Sequence, residues 1–144
     1  MTVTHPTQWL GVGGRTEHAD LLDQIPHDLV LTWDGEVSYS VEIRFVLDPE
    51  EPEAYLCWEV DRDVLARGTA SWAGDGDFRI AVWAQDPALV VINLFDAVTG
   101  RWSRYLARRG ELEDFLAETY RQVPSGEEQL SLERVLAALI GGER

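Results

Sequence analysis

The chain has 144 residues, is 45% hydrophobic and 26% charged, and carries 26 acidic residues against 12 basic ones, for a net charge of −14. This length and hydrophobic fraction are typical of one globular domain and exclude a disordered chain. No apolar run approaches the roughly 20 residues that cross a bilayer, and the first residues do not form a signal peptide. We therefore expect a cytoplasmic protein without a transmembrane segment, and the single cysteine, Cys57, excludes an internal disulfide.

Residues 1–27 are predicted to form a flexible N-terminal extension, because they contain two prolines, three glycines and all three histidines. The strand signal is strong after this segment, where apolar and polar residues alternate over residues 37–47. Asp34 and Gly35 predict a hairpin that pairs this strand with residues 29–33. A third strand is predicted over residues 55–60.

The next pattern predicts a short helix over residues 61–67, with Asp61 as its N-cap and Gly68 in the left-handed closing position. A tight turn is predicted at residues 74–76, and three further strands follow over residues 78–83, 89–95 and 101–106. Two amphipathic helices come last, with apolar stripes over residues 112–120 and 132–140. The fold class is therefore predicted as α+β, a strongly bent antiparallel sheet or small barrel in the order β3-α-β3-α-α.

The reactive side chains form no catalytic or metal-binding pattern, so we expect neither an enzyme nor a bound cofactor. His5, His18 and His27 lack the spacing of metal ligands, and Cys57 is expected to be a buried, inert thiol. The glycines of residues 11–14 lack the Lys-Ser/Thr ending of a phosphate loop. Residues 74–77 lack the twelve-residue pattern of a calcium loop.

Tryptophan and arginine give the only candidate for a partner site. Six tryptophans are present, and a place in the core or at a subunit interface explains most of them. All twelve basic residues are Arg, and four of them cluster over residues 101–109. The candidate partner-binding residues are Trp83, Trp102, Arg104 and Arg108.

Three segments, taken in order along the chain, resemble the motifs of a known family. Residues 58–68 read WEVDRDVLARG, similar to W-x-F-x-R-D-L-L-x-x-G; residues 74–80 read GDGDFRI, similar to G-x-G-D-V-R-V; residues 115–128 read FLAETYRQVPSGEE, similar to F-L-x-x-T and then V-P-x-G-x-E. The SsgA-like proteins of sporulating actinomycetes carry these motifs in this order. The matched positions, for which structural roles are expected, are Trp58, Arg62, Asp63, Leu65, Gly68, Gly74, Gly76, Asp77, Phe115, Leu116, Thr119, Pro124 and Gly126. We expect Arg62 and Asp63 to anchor the short helix to the sheet.

The resemblance implies a non-enzymatic regulator of sporulation-specific cell division, with one SsgA-like domain over residues 28–144. Proteins of this family help to place the tubulin-like division protein FtsZ or guide remodelling of septal peptidoglycan. The implied partners are therefore FtsZ or other SsgA-like proteins, at the division septum in the cytoplasm. The family fold is a small β-barrel with helices that forms a homotrimer and is similar to Whirly-type binders of single-stranded nucleic acid.

Two functions of different classes are open at this point. The first is an oligomeric protein-interaction scaffold, and the second is a Whirly-like single-stranded nucleic-acid-binding module that uses Trp83, Trp102 and the arginines of residues 101–109. Net charge favours the first and predicts no nucleic-acid partner, because phosphate affinity depends on basic residues that release counterions. A barrel that binds a small ligand is a third alternative, although no polar residue indicates a pocket.

Overall fold

Eight antiparallel strands form one sheet that curls into a half-barrel. The computed structural model describes residues 2–12, 24–37, 39–51 and 53–127. The strands are β1 (Thr2–Val12), β2 (Gln24–Asp34), β3 (Ser40–Val46), β4 (Tyr55–Asp61), β5 (Trp72–Asp75), β6 (Phe78–Val82), β7 (Leu89–Asp96) and β8 (Arg101–Arg108). Their spatial order is β4-β3-β2-β1-β8-β7-β6-β5. Two helices complete the described fold, α1 (Arg62–Ala70) and α2 (Arg109–Gln122).

The first strand lies in the middle of the sheet, so the prediction of a flexible extension is wrong for residues 2–12 and 24–27. β1 pairs with β2 along its whole length and with β8 through Leu10 and Gly11. Trp9 on β1 is only 2% exposed. The apolar alternation is weak here because His5 and Thr7 occupy positions that face the helices, where the Thr7 hydroxyl donates to Glu111 of α2. Residues 13–23, with His18, lie outside the described part of the chain.

Over the described residues the order is four strands, a helix, four strands and a helix, which corrects the predicted β3-α-β3 order. The strand missing from the prediction besides β1 is β5, which has only four residues and therefore gives little alternation. The predicted tight turn is confirmed, since Gly76 joins β5 to β6 with a φ of 54°. The hairpin between β2 and β3 is also confirmed, although β3 begins at Ser40 after a short 3₁₀ turn over Gly35–Val37. The helix predicted over residues 132–140 lies outside the described residues.

The core lies between the two helices and one face of the sheet, which we call the inner face. Alternate residues of β2 and β3 point into it, and all are almost fully buried: Leu29, Leu31, Trp33, Val41, Ile43 and Phe45. The predicted stripe of α2 is confirmed, because Leu112, Phe115, Leu116 and Thr119 are its buried residues. Removal of these apolar side chains from water supplies the main driving force for the fold.

Helix α1 begins and packs through two particular residues. The Asp61 carboxylate accepts a hydrogen bond from the backbone N–H of Asp63 at 2.8 Å, which confirms Asp61 as the N-cap. Gly68 lies inside the helix rather than in the predicted left-handed closing position. A Cβ atom at Gly68 would overlap the side chain of Ile80 on β6, so glycine is needed there for close packing.

This packing predicts opposite effects for two glycine substitutions. Gly68→Ala should lower the free energy of unfolding by about 1–3 kcal/mol, because overpacking outweighs the better helix propensity of Ala. Gly110→Ala is the control, since nothing lies within 4 Å of an added Cβ there, and it should raise stability by about 0.5 kcal/mol. Urea denaturation of both variants checks this, and a stabilising Gly68→Ala would contradict the packing account.

Candidate functional site

Arg62 is a fully buried arginine that joins the start of α1 to the end of α2. Its Nη2 donates to the carbonyl of Val123 at 2.6 Å and to that of Pro124 at 3.4 Å. Its Nη1 donates to the Thr119 hydroxyl at 3.4 Å. The guanidinium lies 4.2 Å from the ring centroid of Tyr120. One side chain therefore satisfies carbonyls and covers an aromatic ring at the end of the second helix.

The physical reason for this placement is the charge at a helix C-terminus. The last carbonyls of a helix have no partners within the helix and carry a partial negative charge, which a cation stabilises. The next residue, Asp63, adds a second link, because the Tyr120 hydroxyl donates to its carboxylate at 2.5 Å. We call Arg62, Asp63, Thr119 and Tyr120 the helix clamp. The expectation that Arg62 and Asp63 anchor α1 to the sheet holds in part, because the Arg62 guanidinium lies 5.4 Å from the ring centroid of Trp33 on β2. The hydrogen bonds of the clamp side chains are made with α2 and the residues that follow it.

The other family-motif positions are dispersed through the fold. Leu65, Phe115 and Leu116 lie in the core, and Trp58 on β4 packs edge to face with Phe45 at 5.6 Å between ring centroids. Gly74, Gly76 and Asp77 lie at the exposed end of the β5–β6 hairpin, and Gly126 has a φ of 93° in the turn after Pro124.

An open groove of about 700 Å³ runs beside the helix clamp. Its lining residues are Asp61, Asp63, Ala66, Arg67, Tyr120, Pro124 and Ser125. The two aspartates already accept hydrogen bonds from the backbone of α1 and from Tyr120. The groove therefore presents structural groups, and we assign it no chemistry.

The candidate partner-binding residues lie together on the face of the sheet opposite the helices, which we call the outer face. On β8, alternate positions hold Trp102, Arg104, Leu106 and Arg108, of which Leu106 is almost fully buried, while Tyr105 and Ala107 contribute to the core side. Trp83 belongs to the same face, because its backbone N–H bonds to the carbonyl of Leu89, whose strand partner is Arg108.

The sequence reasoning missed two side chains that extend this face. Arg79 on β6 places its guanidinium 4.6 Å from the ring centroid of Trp102, and Phe95 on β7 lies 5.2 Å from the same indole. Arg104 donates from Nε to the side-chain oxygen of Asn93 at 3.2 Å. Strict alternation along β6 and β7 was the signal that could have placed Arg79 and Phe95 beside Trp102.

The remaining reactive groups are scattered. Cys57 is exposed on β4, which corrects its expected burial. Desolvation of the thiol, together with the nearby charges of Glu42 and Glu59, raises its pKa to about 11. His5 lies on β1 and His27 on β2, so neither belongs to a loose extension. Within the described residues no three His, Cys, Asp or Glu side chains are grouped as metal ligands. The described helices include none that is long and apolar enough to cross a membrane.

An α+β half-barrel with a buried arginine clamp between its helices thus defines the class of protein. Residues 28–128 match the profile of the family described as "Streptomyces sporulation and cell division protein, SsgA". A curated relative, sporulation-specific cell division protein SsgB of Saccharopolyspora erythraea, is 33% identical over 127 residues, covering 81% of this chain and 87% of that protein. SsgB of Thermobifida fusca is 31% identical over 109 residues, covering 74% and 75%. The chain therefore belongs to the SsgA family of sporulation and cell division proteins.

Solved structures show the same fold. The SsgB structure described as "Mutations in SsgB correlate to longitudinal cell division during sporulation of Streptomyces coelicolor" matches with a TM-score of 0.76 and 27% identity, over 91% of this chain and 95% of that one. An SsgA-like sporulation-specific cell division protein from Thermobifida fusca matches with a TM-score of 0.78 at 22% identity, over 100% and 96%. The match to the Thermobifida fusca structure spans the whole chain and so includes β1, which lies before the region matched by the family profile.

The helix clamp predicts that Arg62 is critical for stability while a neighbouring arginine is not. Arg62→Met should cost about 3 kcal/mol, because the carbonyl of Val123 loses its buried donor. Arg62→Lys should recover less than half of this loss, since one ammonium cannot replace the planar fork of donors. Arg67→Met, an exposed position on the same helix, should change stability by less than about 0.5 kcal/mol. Denaturant unfolding measures all three, and equal losses at residues 62 and 67 would contradict the clamp.

The raised thiol pKa predicts slow alkylation of an exposed cysteine. At pH 8 iodoacetamide should modify Cys57 about tenfold more slowly in the folded protein than in the chain unfolded in urea. About a hundredfold fewer folded molecules carry a thiolate, and the greater nucleophilicity of the more basic thiolate offsets about half of this effect on a logarithmic scale. The rate in the folded protein should rise with pH until about pH 11. Mass spectrometry follows the reaction, and equal folded and unfolded rates at pH 8 would refute the assigned shift.

Proposed function

We propose that this protein is a non-enzymatic component of sporulation-specific cell division, which acts as an oligomeric interaction scaffold at the septum on its cytoplasmic side. In this role it helps to localise FtsZ or the septal peptidoglycan machinery, directly or through other SsgA-like proteins. The observation that carries the proposal is the 33% identity to an SsgB protein over most of both chains. The outer face supports it, because tryptophan and arginine are the residue types that dominate binding energy at protein interfaces.

A second surface supports self-association. Three apolar side chains lie at one end of the half-barrel, Ile25 on β2, Leu47 after β3 and Leu56 on β4, and they are 60%, 58% and 50% exposed. We call these three residues the rim. Beneath the rim, aromatic rings pack against one another: Trp9, His27, Phe45, Trp58 and Tyr105. Grouped apolar side chains of this kind are typical of interfaces between subunits.

We expect this rim to hold a homotrimer. Light scattering of the purified protein should give about three times the chain mass of 16.2 kDa. Leu56→Arg should shift the mass toward the monomer, because an unpaired charge would be buried at the contact. Val98→Arg is the control, since Val98 lies exposed at the tip of the β7–β8 hairpin and away from the rim.

Salt provides a second observable for the same assembly. Each subunit carries a charge of −14, so screening of the repulsion between subunits should tighten the trimer as salt is added. A monomer at micromolar concentration in 0.15 M salt would refute the oligomeric part of the proposal.

The cellular part is tested by replacement. In a sporulating actinomycete that lacks its own copy, a fluorescent fusion should gather at division sites and restore regular septa. A fusion that stays diffuse while septation is restored would contradict a scaffold at the septum, and a fusion at septa with no effect on division would contradict the functional role.

A further inference from the structure

We propose that the outer face of β6–β8 binds an extended acidic protein segment whose carboxylates pair with Arg104 and Arg108 while an apolar side chain packs on Trp102. The inference rests on the proposed function, because it names the chemistry of the partner at the same surface. Three features of this face support it: its charge, the spacing of its arginines and the exposure of the Trp102 indole.

The charge of the outer face differs from that of the rest of the chain. Residues 72–108 contain four Asp and four Arg, so the whole net charge of −14 is carried by the other residues. On β6, β7 and β8 the positions of the outer face hold Arg79, Arg104 and Arg108 and no acidic residue. The four aspartates of this region lie at or next to the turns and loops, where Asp86 and Asp96 accept hydrogen bonds from the backbone. The fold thus separates a local cationic face from an acidic remainder.

The arginines of this face have charge to offer a ligand. Across the described residues, Arg79, Arg104 and Arg108 take part in no ion pair, whereas Arg44, Arg109 and Arg121 each bind a glutamate. Asn93 holds the Arg104 side chain in place, and the Trp102 ring holds that of Arg79. Part of the entropy cost of ordering these two side chains on binding is therefore already met. An acidic ligand would therefore meet an oriented Arg104 and an Arg108 side chain, neither of which pairs with a carboxylate of the described residues.

The spacing fits an extended segment. Arg108 lies four positions after Arg104 on one strand, with the buried Leu106 between them on the same face, so the Cα atoms of the two arginines are about 13 Å apart. A second extended chain has the same rise, so carboxylates four residues apart would face the two arginines. Trp102 lies two residues before Arg104 on the same face, is 42% exposed and packs at a tilt against Phe95. An apolar side chain at the matching position of the ligand would cover that indole.

A short peptide fits this charge distribution better than a nucleic acid does. At physiological salt, charges farther apart than about 8–10 Å are largely screened, so a ligand confined to the outer face of β6–β8 senses mainly the three arginines there. A single-stranded nucleic acid adds one phosphate per nucleotide and extends past the face onto a strongly acidic surface. The aromatic rings alone would accept bases, so nucleic acid is tested as the competing ligand.

The experiment measures fluorescence anisotropy of a labelled probe with the full chain at 50 and 300 mM NaCl. The probe is a peptide that presents Phe, Glu, Leu and Glu at alternate positions separated by Ser, and its matched partner has Gln in place of both Glu. A labelled 12-nucleotide oligothymidine is the third probe. The variant of the outer face carries both Arg104→Gln and Arg108→Gln. The control carries Arg67→Gln and Arg121→Gln, which change the net charge by the same amount but lie on the helices.

The proposal expects the Glu peptide to bind at least fivefold more tightly than the Gln peptide and to weaken at least threefold at the higher salt. The outer-face variant should bind at least tenfold more weakly, while the helix control stays within twofold of the wild type. Trp102→Ala with Arg108→Gln gives a second variant that keeps the Arg104–Asn93 bond, and it should also bind at least tenfold more weakly.

Four results would each overturn the proposal. They are equal binding of the two peptides, equal losses of affinity in the outer-face and helix variants, no peptide binding at protein concentrations up to 1 mM, and binding of oligothymidine that is tighter than that of the Glu peptide. Failure here is distinguishable from failure of the proposed function, because the oligomeric mass and the septal replacement assay do not depend on this ligand. If the fusion fails to restore septation while the purified protein binds the Glu peptide, only the proposed function is contradicted.

Discussion

The contact between the Arg62 guanidinium and the carbonyl end of α2 is the constraint on which the rest of the fold depends. β4 leads directly into α1, which packs against β5 and β6 at the opposite edge of the sheet, and β8 leads directly into α2. The helix clamp joins these two helices across the inner face. A buried arginine is costly unless its donors are satisfied, and here backbone carbonyls and a hydroxyl satisfy them while aromatic rings cover its faces. The clamp thereby holds the curled sheet closed on its core.

Local patterns in the sequence predicted much of the fold. The alternation of apolar and polar residues predicted β3, β4 and β6–β8, and the capping residue Asp61 predicted the start of α1. β1 could not be predicted, because its inner positions include His5 and Thr7, whose burial depends on α2 more than a hundred residues away. The partners of Arg62 were equally hidden, since they lie 57–62 residues along the chain. Family motifs marked both ends of that contact but not the contact itself.

The candidate partner residues were predicted as a loose cluster, and the strand register turns them into one surface. Trp102, Arg104 and Arg108 share a face because side chains alternate along β8, and cross-strand pairing adds Arg79 and Phe95. The same curvature leaves the rim at the end of the half-barrel beyond Phe45. The sheet therefore offers two separate surfaces, one rich in arginine and tryptophan and one aliphatic, which suits a scaffold that binds both itself and a partner.

Site-specific photo-crosslinking in sporulating cells tests this division of labour most directly. A photoreactive phenylalanine analogue is placed at residue 102 on the outer face, at residue 56 on the rim or at residue 98 as a control. From residue 102 we expect adducts with a different protein, and these adducts should disappear when Arg104 and Arg108 are both changed to Gln. From residue 56 we expect adducts between copies of this chain. Residue 98 should give neither kind of adduct. Self-adducts alone from residue 102, or adducts that survive loss of both arginines, would contradict this division of labour.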